Sequence, residues 1–212
     1  MLFLNYIWDF DGTLFDTYPH VAYSLGKALE GFGIHADGRE VLRKLKQSVS
    51  EAVTYYSDKY DILYEELAAS YDRIENGRPE VPVLPYPGAA AFLEAVIRSG
   101  GRHFLYTHRN ETAKRFLRDA GFEAYFQRMI TAEDGFPRKP APDAIRYLIR
   151  TYGLMAEETV MIGDRALDLE AGRNAGIAGI LFDPDGYYQD YPADYAVRSM
   201  EELNVLCRMK SV

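Results

Sequence analysis

Apolar and polar positions follow two different rhythms along this chain. Residues 2–10, LFLNYIWDF, form a short run rich in aromatics and aliphatics that stops abruptly at an Asp-Gly pair. Its length and its turn-forming end predict a buried β-strand. From about Thr17 to Asn76 the spacing is helical. Asp16 and Thr17 are N-cap candidates, Pro19 falls in the first turn, and Gly31 and Gly33 punctuate the end. Val41–Tyr56 and Ile62–Ile74 continue with helix-compatible spacing, and no strand pattern interrupts them. The segment GRPEVPVLPYPG, residues 77–88, then brings four prolines and two glycines, the composition of a linker.

Beyond the linker the rhythm changes. Helical patterns over Ala89–Ser99, Glu111–Ala120, Asp143–Tyr152, Leu167–Ala175 and Ser199–Leu206 alternate with strand patterns. The strands are expected over His103–Thr107, Met129–Ala132, Thr159–Gly163 and Ile177–Asp183, the second of them weak. Such alternation implies an α/β fold with a parallel sheet covered on both faces. One strand precedes the helical block and the α/β units follow it. The simplest topology is therefore a doubly wound, Rossmann-like core, residues 1–15 and 86–212, with a helical domain inserted at 16–85.

Composition narrows the class. The chain has 212 residues, 48% of them apolar, which is enough for a sizeable core. Its net charge of −8 argues against a broad nucleic-acid surface, which needs clustered Lys and Arg. A local positive pocket for a small phosphorylated molecule remains compatible with that charge. Cys207 is the single cysteine, so no internal disulfide forms and a reducing compartment is expected. No glycine-rich turn or nearby His supports a catalytic role for it. The opening MLFLNYIWDFDGT lacks the basic flank of a signal peptide. No apolar run approaches the ~20 residues of a membrane span. These features predict a soluble cytoplasmic enzyme that meets neither membrane nor nucleic acid. Tyr55, Tyr56, Tyr60, Tyr64 and Tyr71, and later Tyr187, Tyr188, Tyr191 and Tyr195, read as packing and surface residues.

The strongest chemical signal is Asp9-Phe10-Asp11-Gly12-Thr13-Leu14. It puts two carboxylates at the carboxyl end of the first strand, where open α/β sheets bind ligands. Gly12 lets the backbone turn sharply. Two neighbouring acids repel, and a divalent cation is a direct way to hold them. An ordinary Asp-Gly turn would account for the motif alone. Three later strand ends add to it. HFLYT delivers Thr107, followed by His108 and Arg109. The loop FPRKPAPD presents Lys139 between stiffening prolines. TVMIG ends at Asp164, and Asp168 lies four residues on, on the same face if the segment is helical. Taken singly, Thr107 and Asp164 also read as helix caps and Lys139 as a solvated loop residue.

Together, DFDGTLFDT at 9–17, Thr107, Lys139 in KPAPD and GDRALD at 163–168 resemble the four motifs of the haloacid dehalogenase-like hydrolases, over nearly the whole chain. The phosphoglycolate-phosphatase-like branch, with a small helical cap, is the nearest match. The resemblance implies a phosphatase that forms an aspartyl-phosphate on Asp9, with Asp11 as general acid and base. It implies Mg²⁺ held by Asp9, the Asp11 backbone carbonyl and Asp164. Thr107, Gly12, His108 and nearby backbone N–H groups would hold the phosphoryl oxygens, and Lys139 would neutralise charge there. Asp168 would support the metal or Lys139 from behind. His108 stands where relatives often carry Asn, and either its side chain or its N–H is expected to matter. Arg165 stands where a small residue is frequent, and it is expected to point to solvent.

The inserted domain would read the rest of the substrate. Its segment 43–50, RKLKQSVS, offers Lys46 or Arg43 to a second anionic group, unless these simply form a solvated helix face. The expected partner is a small phosphorylated metabolite, phosphoglycolate-like or a sugar phosphate, with monomer and dimer both open. Two rivals stand. One is a phosphomutase of the β-phosphoglucomutase type, which the absence of an arginine near Ser50 disfavours. The other is a non-catalytic binding protein on the same scaffold, which the retention of Asp9, Asp11, Lys139 and Asp164 disfavours.

Overall fold

A computed structural model describes residues 2–188 and 191–208. The chain divides into two compact units, residues 16–84 and residues 1–15 with 85–212. In chain order, strand β1 (Asn5–Trp8) comes first. The two-residue strands β2 (Phe15–Asp16) and β3 (Leu84–Pro85) pair where the chain crosses between the units. Between them lie four helices: α1 (Tyr18–Gly31), α2 (Gly38–Leu45), α3 (Val49–Tyr60) and α4 (Tyr64–Glu75).

The helical unit is built on apolar stripes. Val21, Leu25, Ala28 and Leu29 recur at helical spacing on α1 and meet Val53 and Tyr56 of α3 and Leu67 of α4. Pro19 fits the first turn of α1, where a missing N–H is harmless. Thr17 occupies the cap position, but its hydroxyl makes no capping bond. The helix-compatible stretch Val41–Tyr56 is divided between two helices, with the break at 46–48 inside the polar segment 43–50. Asp37 caps α2, accepting from the N–H groups of Arg39 and Glu40. Ser48 starts α3 afresh by accepting from Glu51 N–H at 3.0 Å. The Glu40 carboxylate joins the two helices, accepting from the Tyr55 hydroxyl at 2.7 Å and Lys59 Nζ at 3.0 Å.

The other unit continues with α5 (Ala89–Arg98), β4 (Arg102–Tyr106), α6 (Thr112–Asp119), β5 (Phe126–Ile130) and α7 (Asp143–Tyr152). It ends with β6 (Thr159–Gly163), α8 (Ala166–Ala175), β7 (Ala178–Phe182), β8 (Tyr195–Val197) and α9 (Met200–Arg208). β1 and β4 to β8 form one parallel sheet in the order β5-β4-β1-β6-β7-β8. β1 is central and buried at all four positions. That explains why it reads as an unbroken apolar run rather than an alternating one. β1 is half the length its apolar run suggested, and β8 has no counterpart in the sequence reading. Three residues are too few to show a period. β8 is fixed instead by pairing with β7 and by Asp194, which accepts from Gly179 N–H at 2.9 Å.

The chain runs from β1 outward through β4 to β5, then crosses to β6 on the other side of β1. The reversal beside β1 makes a crevice at the carboxyl ends of the strands. Asp9, Thr107 and Asp164 immediately follow β1, β4 and β6, so the topology gathers them there. Among the described residues, no helix is long and apolar enough to cross a membrane.

Behind the crevice, Trp8 Nε1 donates to His103 Nδ1 at 3.0 Å, and the other ring nitrogen bonds the Leu93 carbonyl at 3.1 Å. An indole can only donate and a carbonyl can only accept, so His103 is neutral with its proton on Nε2. Burial pushes its pKa down to about 4. The unfolded chain therefore binds the extra proton, and this contribution is lost as pH falls from the ordinary histidine range towards 4. Replacing His103 with Leu is expected to cost about 1–3 kcal/mol in urea unfolding at pH 7, because Trp8 loses its acceptor. The same variant should flatten the stability profile over that acid range.

Candidate active site

Lys139 lies at the centre of the strand-end crevice. Its ammonium is 2.9 Å from Asp9 Oδ1 and 2.6 Å from Asp168 Oδ1, and all three side chains are shut off from solvent. Asp9 is held in line by its N–H, which extends the β1–β6 ladder to the Ile162 carbonyl at 2.9 Å. Asp168 sits in the first turn of α8, where its Oδ2 accepts from Arg165 N–H at 3.1 Å. The cap of α8 is thus satisfied by Asp168 from within the helix, and Asp164 is left to face the crevice. Carboxylate oxygens of Asp9, Asp164 and Asp168 lie within 4.8 Å of one another. The approach of Asp164 to Asp168 comes from the bend at Arg165 that precedes α8, not from one continuous helix face.

Charge in this cluster does not balance. The ammonium meets two of the three carboxylates, Asp9 and Asp168, and the Arg165 guanidinium stands 3.9 Å from Oδ1 of the third, Asp164. Burial and the Asp168 charge push the Asp9 carboxyl up to about 6, against the pull of Lys139 and Arg165. Burial disfavours the Lys139 ammonium, but Asp168 and Asp9 outweigh it and hold the net direction upward. Asp9 Oδ2 is buried and accepts no hydrogen bond among the described residues. A buried carboxylate oxygen with no donor, beside further carboxylates, suits a hard divalent cation. Asp9 and Asp164 fit as its ligands, since both Asp168 oxygens already serve Lys139 and Arg165.

Asp11 is placed differently. Its carboxylate turns to Arg109, accepting from Nε at 2.9 Å and lying 2.7 Å from Nη2. The Arg109 side chain is nearly buried, and its guanidinium lies about 6 Å from the ring centres of Phe10 and Phe116. The two residues stand 98 positions apart, so no local pattern marks this pair. Gly12 has φ of 68°, the conformation the turn after Asp11 requires. Its N–H bonds the Phe15 carbonyl at 2.9 Å, so Gly12 serves by shaping the turn. Thr107 is buried, and its Oγ1 accepts from Arg109 N–H at 3.0 Å, which leaves the hydroxyl proton to donate elsewhere. The N–H of Thr107 continues the ladder to Ile130, and the cap of α6 is Glu111 rather than Thr107.

Two expectations change. Arg165 was expected to point to solvent, but its side chain is only 18% exposed and lies beside Asp164. The His108 ring, read as a candidate substrate contact, accepts from the N–H of Lys139 through Nε2 at 2.7 Å. Burial, then Lys139, Arg138 and Arg165, push its pKa down to about 3. Lys46 belongs to the helical unit, where it follows α2 and its ammonium is 5.3 Å from the centre of the Tyr18 ring.

Gly163 is a further residue the site depends on. A Cβ on it would overlap the Asp168 side chain. No L-residue with a side chain fits there unless Asp168, and with it the Lys139 contact, moves. Gly163→Ala is expected to lower stability by about 1–3 kcal/mol, as overpacking does. Gly26→Ala, in open space on α1, should instead raise it by about 0.5–1 kcal/mol. Thermal unfolding of the two variants side by side checks both signs.

Residues 6–182 match the family model described as haloacid dehalogenase-like hydrolase. The chain is 26% identical to the pyrophosphatase PpaX of Halalkalibacterium halodurans, over 93% of each chain. It is 27% identical to the phosphoglycolate phosphatase of Vibrio parahaemolyticus, over 92% of each. Among solved structures, a hydrolase from Streptococcus pneumoniae TIGR4 shares 34% identity at a TM-score of 0.65, covering 86% of this chain and 94% of that one.

Proposed function

The chain belongs to the haloacid dehalogenase-like hydrolase family and is a phosphoric monoester hydrolase, and we propose that it uses Mg²⁺ and an aspartyl-phosphate on Asp9 to hydrolyse a small phosphorylated metabolite. The observation that carries this reading is the bridge from Lys139 Nζ to Asp9 Oδ1 at 2.9 Å, beside an Asp9 Oδ2 that accepts nothing. One carboxylate oxygen is neutralised by the ammonium, and the other is left for a cation or a phosphorus atom.

Each residue then has a task. Asp9 attacks phosphorus, forming an O–P bond as the bond to the leaving oxygen breaks. Asp11 gives that oxygen its proton, then takes one from the water that cleaves the acyl phosphate and regenerates Asp9. Lys139 and the Thr107 hydroxyl oppose negative charge on the phosphoryl oxygens. Asp168 holds Lys139 in place. Asp9, Asp164 and the Asp11 carbonyl would hold Mg²⁺, which when bound screens the repulsion between carboxylate and phosphate. Arg109 must yield some of its grip on Asp11 whenever that carboxyl carries a proton.

The pyrophosphatase and the phosphoglycolate phosphatase among the relatives differ in leaving group and share the breaking of a P–O bond. The substrate is accordingly read here as phosphoglycolate-like or a sugar phosphate. Residues 16–84 are read as the cap that selects it, with Lys46 offered to a second anionic group. The lone Cys207 suits a cytoplasmic setting.

Asp9→Asn should leave less than about 1% of the turnover of a chromogenic aryl phosphate, with unchanged far-UV circular dichroism. Residual activity of more than a few per cent would remove Asp9 as nucleophile. Chelation should abolish wild-type turnover, and added Mg²⁺ should restore it. Asp11→Asn should slow turnover by about 10²–10⁴-fold, the usual worth of a general acid–base group. Equal rates in variant and wild type would take Asp11 out of the mechanism.

A further inference from the structure

The segment between β5 and α7 that carries Lys139 has little regular structure to set it, only one 3₁₀ turn at Ala132–Asp134. Yet its lysine is buried, with its ammonium within 2.9 Å of Asp9 and 2.6 Å of Asp168. The end of β4 supplies what the loop lacks. Tyr106 donates its hydroxyl to the Pro137 carbonyl at 3.1 Å. Two residues on, in the bend after the strand, His108 Nε2 takes the peptide N–H of Lys139 at 2.7 Å. The Tyr106 ring lies 4.9 Å from the Lys139 ammonium and meets the His108 ring edge-on. A peptide N–H can only donate, so His108 is neutral with its proton on Nδ1.

We propose that His108 is a positioning residue: by accepting from the Lys139 peptide N–H it fixes the backbone from which the Lys139 ammonium reaches Asp9 and Asp168. This inference rests on the reading of Lys139 as the group that neutralises charge at the phosphoryl site. It assigns His108 a task that differs from contact with substrate, since Nε2 is occupied. The low proton affinity of the ring agrees with this task. The partner must stay an acceptor, and Lys139, Arg138 and Arg165 all favour its neutral form.

Two substitutions separate this role from its rivals. His108→Gln keeps an acceptor oxygen near the position of Nε2, and His108→Leu keeps bulk without an acceptor. With Mg²⁺ present, the Leu variant is expected to lose about tenfold or more in kcat, as small misplacements of a catalytic group do. KM should move by less than about twofold, and the loss in kcat should be the same for an aryl phosphate and an alkyl phosphate. The Gln variant should recover to within about threefold of wild type.

Wild-type kinetics in His108→Leu would overturn the proposal. So would a KM effect that changes with the leaving group, which marks a substrate contact. A loss shared by the Gln variant and tracking its thermal stability would also overturn it. A second readout needs no turnover. Hydrogen exchange at the Lys139 amide should be slow in wild type and Gln, and about tenfold or more faster in Leu. Equal exchange in all three refutes the clamp. If wild type hydrolyses no phosphate at all, the catalytic reading falls, and amide exchange still decides whether His108 holds Lys139.

Discussion

A buried ammonium between two buried carboxylates is the interaction around which this protein is arranged. Removing such charges from water costs several kcal/mol per ion, and close geometry with full hydrogen bonding is what offsets it. Lys139 meets that condition with contacts of 2.6 and 2.9 Å. The bargain is incomplete on the acidic side. Asp9, Asp164 and Asp168 carry more charge than one lysine balances, and Asp9 Oδ2 accepts nothing. The site therefore has an unmet electrostatic demand, which the proposed cation and phosphoryl group would meet.

The parallel sheet makes that concentration of charge possible. Each strand enters from the far edge and releases the chain at the same edge, so residues from distant segments arrive side by side. β1, β4 and β6 are neighbours, and Asp9, Thr107 and Asp164 follow them directly. Packing then decides the details. Gly163 has no side chain because the Asp168 carboxylate occupies the space a Cβ would need. Tyr106 and His108 each bond the backbone of the loop that carries Lys139.

The loop after β4 serves two neighbours at once. His108 faces the Lys139 loop and Arg109 faces Asp11, so adjacent residues on one short segment tie down two different charged groups. The arrangement separates the acids by environment. Asp9 is buried against an ammonium, and Asp11 is partly exposed and paired with a guanidinium. Two carboxylates two residues apart are thereby given different surroundings, as the proposed roles of attacking group and proton carrier require.

The sequence by itself determined the class of fold, the family and the charged residues at the strand ends. Those signals are local. A buried parallel strand is a short apolar run, and a helix repeats its apolar positions within a few residues. Asp9, Asp11, Lys139 and Asp164 stand next to turns that composition alone marks. Tertiary structure decided what those groups touch. Arg109 reaches Asp11 across 98 positions and His108 reaches Lys139 across 31. No pattern within a window of the chain encodes either contact. The start of α3 at Ser48 and the Arg165–Asp164 contact are local, with partners three residues and one residue away. The three-residue strand β8 is not: it is settled by pairing with β7 and by the Asp194 bond to Gly179, and such partners have no address in the sequence until the sheet brings them near.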